Sequence, residues 1–377
     1  MDKKRDFSFT KRMVIKIGTN LLSGEDGINK AYVSRIAAQL AEIKERNIHP
    51  LLVTSGAIGM GAGELGISRR VEGIKMRQAC AAIGQPLLMH TYREAFQKQA
   101  LKTAQVLITR EVLNNRKSYI NLRNSVETLL GLDVIPIFNE NDSISTDEIG
   151  TAFGDNDRLS ALIASKIDSD LLLILTDIDA FYDQNPRKYP EAKPILRING
   201  VTENQIKCAG TGGSLHSTGG MKSKLRAVII AENAGCHTVI ADGREPNVIN
   251  RVINGEELGS WFIPQRKLKN RTRWILNSEA RGNIKVDEGA MQAIRGRNSL
   301  LPKGIVSVTG VFHAGDVVMV NNSVKLVTAF DSTELRRLIG KHSWEISGIL
   351  GAGRKDVVAR PEDMAFLDRT DQSDGKE

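Results

Sequence analysis

Met13-Val14-Ile15-Lys16-Ile17-Gly18-Thr19-Asn20 is an aliphatic run closed by a glycine turn, with one lysine a single residue before the apolar run ends. A short continuous apolar run bounded by a turn reads as a strand covered on both faces. A lysine at its end points a compact cation at whatever the turn holds. The backbone amides freed by such a turn bind phosphate oxygens, and the ammonium supplies the point charge that phosphoryl transfer needs. The competing reading of Lys16 is a lysine on an exposed strand edge.

Working outward, similar apolar runs recur at 51–54, 105–108, 134–138, 171–175 and 238–241. Amphipathic stretches separate them: Val33, Ile36, Ala37, Leu40 and Ile43 recur at helical spacing, as do Ile120, Val126, Leu129 and Leu130. Strands alternating with helices predict an α/β fold with a mainly parallel sheet. Each run is followed by small or polar residues: Ser55-Gly56, Asn139-Glu140-Asn141-Asp142, Thr176-Asp177. In an open parallel sheet the carboxyl ends of the strands line the ligand crevice, so these loops are expected to build one site.

A second phosphate cradle is expected at Gly210-Thr211-Gly212-Gly213 and Thr218-Gly219-Gly220-Met221-Lys222-Ser223-Lys224, which feed an amphipathic stretch over 225–234. The alternative is a flexible surface loop. The Walker A spacing is absent, and no GxGxxG follows a strand. Asp142, Asp155, Asp157 and Asp177, interleaved with Asn139, Asn141 and Asn156, suit a magnesium ion that keeps phosphates and water in its shell. Gly154-Asp155-Asn156-Asp157 lacks the spaced acids of a calcium loop and also reads as a helix cap. No GxSxG elbow or HExxH motif occurs, which argues against a serine hydrolase or a zinc protease.

Beyond about residue 274 short apolar segments alternate with Gly, Asn and Pro, the texture of a compact β module. The expected division is a catalytic domain over 1–263, a basic linker over 264–273, the β module over 274–357 and a disordered acidic tail over 358–377. The basic cluster Arg266, Lys267, Lys269, Arg271 and Arg273 reads as a solvated linker, with a binding site as the alternative. A chain of 377 residues with 41% hydrophobic and 25% charged residues is a folded globular protein of two domains. Its net charge of +8 fits a nucleic acid, a polyanionic substrate such as ATP, or simply a basic surface. Cys80, Cys208 and Cys236 form no CxxC pair, and the longest aliphatic run is too short to span a bilayer, so a reducing, cytoplasmic location without membrane attachment is expected.

In order along about residues 13–260, Ile15-Lys16-Ile17-Gly18-Thr19, Val53-Thr54-Ser55-Gly56-Ala57-Ile58, Asn139-Glu140-Asn141-Asp142, Gly154-Asp155-Asn156-Asp157, Leu175-Thr176-Asp177 and Thr218-Gly219-Gly220-Met221 resemble the glutamate 5-kinases of the amino acid kinase superfamily. Gly282-Asn283-Ile284-Lys285-Val286-Asp287-Glu288-Gly289-Ala290, Ser299-Leu300-Leu301-Pro302-Lys303-Gly304-Ile305 and Phe312-His313-Ala314-Gly315-Asp316-Val317 resemble a PUA domain. The resemblance implies a three-layer sandwich around a mainly parallel sheet, followed by a small, mainly β PUA domain. It implies ATP-dependent phosphorylation of the L-glutamate side-chain carboxylate, the first step of proline biosynthesis, with Mg²⁺ carried by ATP and no dedicated protein ligands. Lys16 and Lys224 would stabilise the transferring phosphoryl group and Asp157 would position them. Thr176, Asp177 and the loop Thr218, Gly219, Gly220, Met221, Lys222, Ser223 and Lys224 would hold ATP together with Lys16; Ser55, Asp142 and Asn156 would hold glutamate. Ser214 to Ser217 reads as an insertion in that loop. A homo-oligomer, dimer or tetramer, is expected, with hand-off of the product to the next enzyme of the pathway and inhibition by proline. The alternatives are a kinase of the same fold acting on N-acetylglutamate, aspartate, carbamate or UMP, or an RNA-binding protein acting through its PUA domain.

Overall fold

The computed structural model describes residues 5–24, 27–144, 156–186, 188–202, 205–206 and 220–367. The chain divides into two compact units, one ending at Lys267 and the other beginning at Leu268.

In the first unit the strands are β1 (Arg12–Ile17), the short hairpin β2 (Ser23–Gly24) and β3 (Gly27–Ile28), β4 (His49–Val53), β5 (Lys102–Ile108), β6 (Val134–Glu140), β7 (Leu171–Thr176), β8 (Arg197–Asn199), β9 (His237–Asp242) and β10 (Ser260–Ile263). Apart from the hairpin they form one sheet in the order β5-β6-β4-β1-β7-β9-β10-β8. The six strands read from the sequence, β1, β4, β5, β6, β7 and β9, are all present and run parallel. β8 and β10 were not anticipated. β10 runs antiparallel to β9 and parallel to β8, and three or four residues at a sheet edge leave too little pattern to read.

Helices cover both faces: α1 (Thr19–Leu22), α2 (Lys30–Glu45), α3 (Ala57–Glu64), α4 (Ile74–Gln97), α5 (Arg110–Asn114), α6 (Arg116–Gly131), α7 (Asn156–Lys166) and α8 (Met221–Glu232). The period of two along a strand divides the core. Met13, Ile15 and Ile17 pack with Val33, Ile36 and Leu40 of α2 and with Leu88 and Tyr92 of α4. Val14, Leu172 and Ile174 face the other way, against Leu162 and Ile163 of α7 and Leu225 and Val228 of α8. By the same alternation Lys16 falls on the face that α7 and α8 cover. β1 lies at the centre of the sheet, so the exposed-edge reading of Lys16 is excluded; the residue is 3% exposed.

Helices α3 and α4 cross in backbone contact. A Cβ at Gly84 would stand 1.9 Å from the Ala57 carbonyl oxygen, and one at Gly61 would stand 1.9 Å from that of Cys80. Both obstacles are backbone and cannot swing aside. Gly84→Ala is therefore expected to destabilise the fold by about 2 kcal/mol or more, through forced separation of the two helices. Thermal unfolding checks this, with Gly63→Ala, where no atom lies within 4 Å of the new Cβ, as the benign control.

The second unit is a five-stranded sheet of β11 (Gly282–Val286), β12 (Ile305–Gly310), β13 (Val317–Val320), β14 (Val324–Val327) and β15 (Met364–Phe366), in the order β12-β11-β13-β14-β15. Ile284, Val318, Val320, Leu326 and Leu335 share its core. Two expectations change here. Residues 358–367, placed in a disordered tail, are folded: β15 pairs with β14, and Val358 and Ala359 are buried. The rest of the expected tail, 368–377, lies outside the described residues. The basic segment is not a solvated linker either, since Asn270–Asn277 is helical, Arg266 donates to Asn233, Arg271 binds Asp363, and Arg273 is buried. Charge pattern alone misread both, because short segments were anchored by partners distant in sequence.

Candidate active site

Three buried charges converge at the carboxyl end of β1. Lys16 Nζ lies 2.7 Å from Asp157 Oδ1, and Lys224 Nζ donates to Asp157 Oδ2 at 3.0 Å. Each comes from a different element: the penultimate residue of β1, the first turn of α7 and the first turn of α8. Asp157 is fully buried and both lysine side chains are about 5% exposed or less. Two ammoniums on one carboxylate leave a net positive charge in a region shielded from water. Such an arrangement is costly to bury and suits a negatively charged guest. Neither lysine could have been paired with Asp157 from spacing, since the three positions are far apart in the chain.

Around this centre the backbone comes close. Gly18 N donates to the Leu175 carbonyl at 2.9 Å, and a Cβ at Gly18 would meet that same oxygen at 3.1 Å. The turn after β1 thus lies against the end of β7, where Thr176 is 5% exposed and Asp177 follows. Burial works to raise the Asp177 carboxyl, but hydrogen bonds from Asn20 Nδ2 at 2.9 Å and Thr176 Oγ1 at 3.2 Å, its own backbone amide and the charge of Lys224 together hold it below the usual carboxylate range. Asp177 is therefore an anion at neutral pH, fastened to both turns. In the turn after the adjoining strand β9, Arg244 binds Asp242 and donates to the Asp177 carbonyl.

The opposite side of the site carries a neutral, hydrogen-bonded network. Asn156 Nδ2 donates to the Thr54 carbonyl, to Ser55 Oγ at 2.9 Å and to Asn139 Oδ1 at 3.0 Å. Asn139 Nδ2 in turn donates to Gln85 Oε1 at 2.8 Å. Thr54 Oγ1 pairs with Tyr92 Oη at 2.8 Å, and burial pushes that phenol well above its ordinary range, so it stays neutral. Gly56 adopts φ 104°, a left-handed turn that lets Ser55 precede the start of α3. Beside these residues lies a cleft of about 250 Å³ whose lining includes Ala57, Gln85, Pro86, Asn141 and two acidic residues, Glu140 and Asp142. Burial raises the Asp142 carboxyl above its usual range against the opposing pull of Arg77.

The structure thus brings Lys16, Ser55, Asn156, Asp157, Thr176, Asp177 and Lys224 to one edge of the sheet. Asp142 lies beside them in the cleft. Gly220, Met221, Lys222 and Ser223 open α8 at Lys224, with Ser223 N donating to the Gly220 carbonyl. Thr218, Gly219, Asp155 and the loop 210–217 lie outside the described residues. Gln85, Tyr92 and Arg244 join the site without having been anticipated. Gln85 and Tyr92 sit within α4, a helix that carries Pro86 in its interior and so offers a conflicting signal.

A mainly parallel sheet with lysines gathered at the carboxyl end of its central strand defines a class, and the amino acid kinase family model matches residues 11–242: the chain belongs to that family. The glutamate 5-kinase of Methanosarcina acetivorans is 41% identical over 380 residues, covering 97% of this chain and 99% of its own. Those of Geobacter sulfurreducens and Thermoanaerobacter pseudethanolicus are 41% and 39% identical, each covering at least 95% of this chain and 98% of its own. A PUA domain model matches residues 282–350. No helix among the described residues is long and apolar enough to cross a membrane.

Proposed function

We propose that this protein transfers the γ-phosphoryl group of ATP to the side-chain carboxylate of L-glutamate, forming L-glutamyl 5-phosphate and ADP in the first step of proline biosynthesis. The observation that carries the reading is the buried Lys16–Asp157–Lys224 cluster, taken with near full-length similarity to glutamate 5-kinases. A glutamate side chain titrates near about pH 4 and is already a nucleophile at neutral pH, so no general base is needed. Its oxygen attacks the γ-phosphorus as the bond to the β–γ bridging oxygen breaks and ADP leaves with that electron pair. The obstacle is repulsion between two anions, which the two lysines offset from positions fixed before the substrates arrive. His49 and His237 open β4 and β9 and so sit at the opposite edge of the sheet.

Mg²⁺ enters with the nucleotide. Both oxygens of Asp157 are taken by lysines, which leaves the ion to be held by phosphates and water. Thr176, Asp177 and the start of α8 hold the nucleotide, while Ser55, Asp142 and Asn156 hold glutamate. A cytoplasmic location, a homo-oligomeric state and transfer of the water-sensitive acyl phosphate to a following enzyme belong to the same reading. Hydroxylamine trapping tests it: L-glutamate with Mg-ATP should give hydroxamate and ADP in equal amounts, while aspartate and N-acetylglutamate should not. ADP release that is independent of glutamate, or that follows another acceptor, would overturn the assignment.

If Asp142 binds the ammonium of glutamate, it must do so as a carboxylate. Its raised pKa then means that affinity is lost as pH falls, beginning above the pH at which free aspartate protonates. The stability linkage has the opposite sign, because the folded state binds that proton more tightly than the unfolded chain and gains stability in acid. The KM for glutamate should therefore rise on the acid side without loss of fold. Asp142→Asn should remove that arm of the pH profile and raise KM by about 30-fold or more.

A further inference from the structure

We infer that Gln85 is a specificity-determining residue of the acceptor site, whose Nε2 donates a hydrogen bond to an α-carboxylate oxygen of the bound amino acid. This rests on the glutamate kinase reading above. The orientation of Gln85 follows from a relay that begins at a group with no choice. A backbone carbonyl can only accept, so the contact at Thr54 O fixes the amino group of Asn156 there. Asn156 Nδ2 also meets Asn139, which must present Oδ1 to it, and this leaves Asn139 Nδ2 to face Gln85. Gln85 must then answer with Oε1. Turning any one amide over would set donor against donor or acceptor against acceptor along the chain.

With Oε1 committed, Nε2 is the atom left for the cleft that Gln85 lines. It is buried, the residue being 8% exposed, and Nε2 has no hydrogen-bond partner. A buried donor left unpaired costs about 1–3 kcal/mol, a penalty that an arriving acceptor removes. An ammonium cannot fill that place, since two donors would meet, whereas a carboxylate can. The topology says which carboxylate. Asn139, the partner of Gln85, lies on β6, two strands from β1 and so about 10 Å from the strand that carries Lys16. The side-chain carboxylate of glutamate must lie beside the lysines to be phosphorylated, so the α-carboxylate end of the molecule is the one that reaches toward β6. Asp142 in the same cleft suits the α-ammonium beside it.

The decisive variant is Gln85→Glu, which keeps an acceptor for Asn139 Nδ2 but replaces the donor with a further acidic group in a cleft that Glu140 and Asp142 already line. The KM for L-glutamate should rise roughly 100-fold, with kcat within a few-fold of wild type and KM for ATP unchanged. The α-amide of glutamate, which offers N–H donors where glutamate offers oxygen, supplies the readout that a merely structural role would not move. Its kcat/KM relative to L-glutamate should improve by roughly 100-fold in the variant. Gln85→Met, of similar length and without a donor, should raise KM for glutamate and leave that preference unswitched, which keeps the test available should Gln85→Glu fail to fold. The inference is overturned if KM for glutamate stays within two-fold of wild type in the variants that fold, or if kcat and the KM for ATP change along with it. It is also overturned if Gln85→Glu folds and the α-amide ranks as in wild type. Failure of the wild-type protein to form glutamate-dependent hydroxamate would instead sink the kinase reading on which it rests.

Discussion

Lys16→Met is expected to lower kcat/KM for glutamate-dependent ADP formation by about 1,000-fold, with most of the loss in kcat. The side chain lies at the end of the central strand, is 3% exposed, and its ammonium is held by Asp157 at 2.7 Å before any substrate binds. A charge held in a dry site and aimed at a transferring phosphoryl group contributes mainly in the transition state, and removing one such donor typically costs about 100- to 1,000-fold. Methionine keeps the length and apolar stem, so β1 should remain paired with β4 and β7. Steady-state kinetics with trapping of the acyl phosphate, beside a thermal melt, separate lost chemistry from lost fold. A variant that keeps the melting temperature and more than a tenth of wild-type turnover would remove Lys16 from the catalytic machinery.

Asp157→Asn should show the second large effect, and in both stability and turnover. It leaves two ammoniums buried with no counter-charge between them, and breaking a buried ionic cluster from one side typically costs about 3–5 kcal/mol. For a unit of this size that corresponds to a fall in Tm of roughly 10 °C. The lysines should also separate, so activity should fall with stability. The double variant Asp157→Asn, Lys224→Met distinguishes this explanation from generic damage. With one ammonium gone the repulsion is relieved, so it should melt higher than Asp157→Asn alone, a non-additivity expected of groups in direct contact. Simple additivity of the two losses would show that the carboxylate does not hold the pair together.

The core was readable where the sheet is covered on both faces. Leu171 to Leu175 is an unbroken aliphatic run because each residue meets a helix on one side or the other, and the same holds for Met13 to Ile17 apart from Lys16. That one departure from pattern was the clearest sign of chemistry, since a cation in such a place needs a reason. Local pattern showed Asp157 only as an acidic residue, and its place between the two lysines came from the family resemblance alone, because pairing across a fold leaves no mark on local spacing. Gln85 was invisible for a different cause: a neutral amide in a long helix, beside a proline, carries no charge and breaks no periodicity. At the other end of the chain, Met364 and Ala365 are buried in an edge strand only three residues long. The charged residues around them, Arg360, Glu362, Asp363 and Asp368, dominated the composition and hid the strand.

The glycine crossing of α3 and α4 bears on how an acceptor preference could be re-engineered. Ser55 and Gly56 lead into one of these helices and Gln85 sits on the other, so the helical side of the cleft proposed for the acceptor hangs from a single main-chain weld at Gly61 and Gly84, facing the ends of β5 and β6. A weld of that kind has no side chain to trim or repack, so the helical side of the cleft behaves as a fixed gauge. Lengthening or shortening the accepted amino acid by a methylene must then be accommodated by exchanging the side chains that face the gap, Gln85 and Asp142 first among them. The lysine cluster on the far side of the sheet would stay as it is, and acceptor and donor could be tuned as two separate modules.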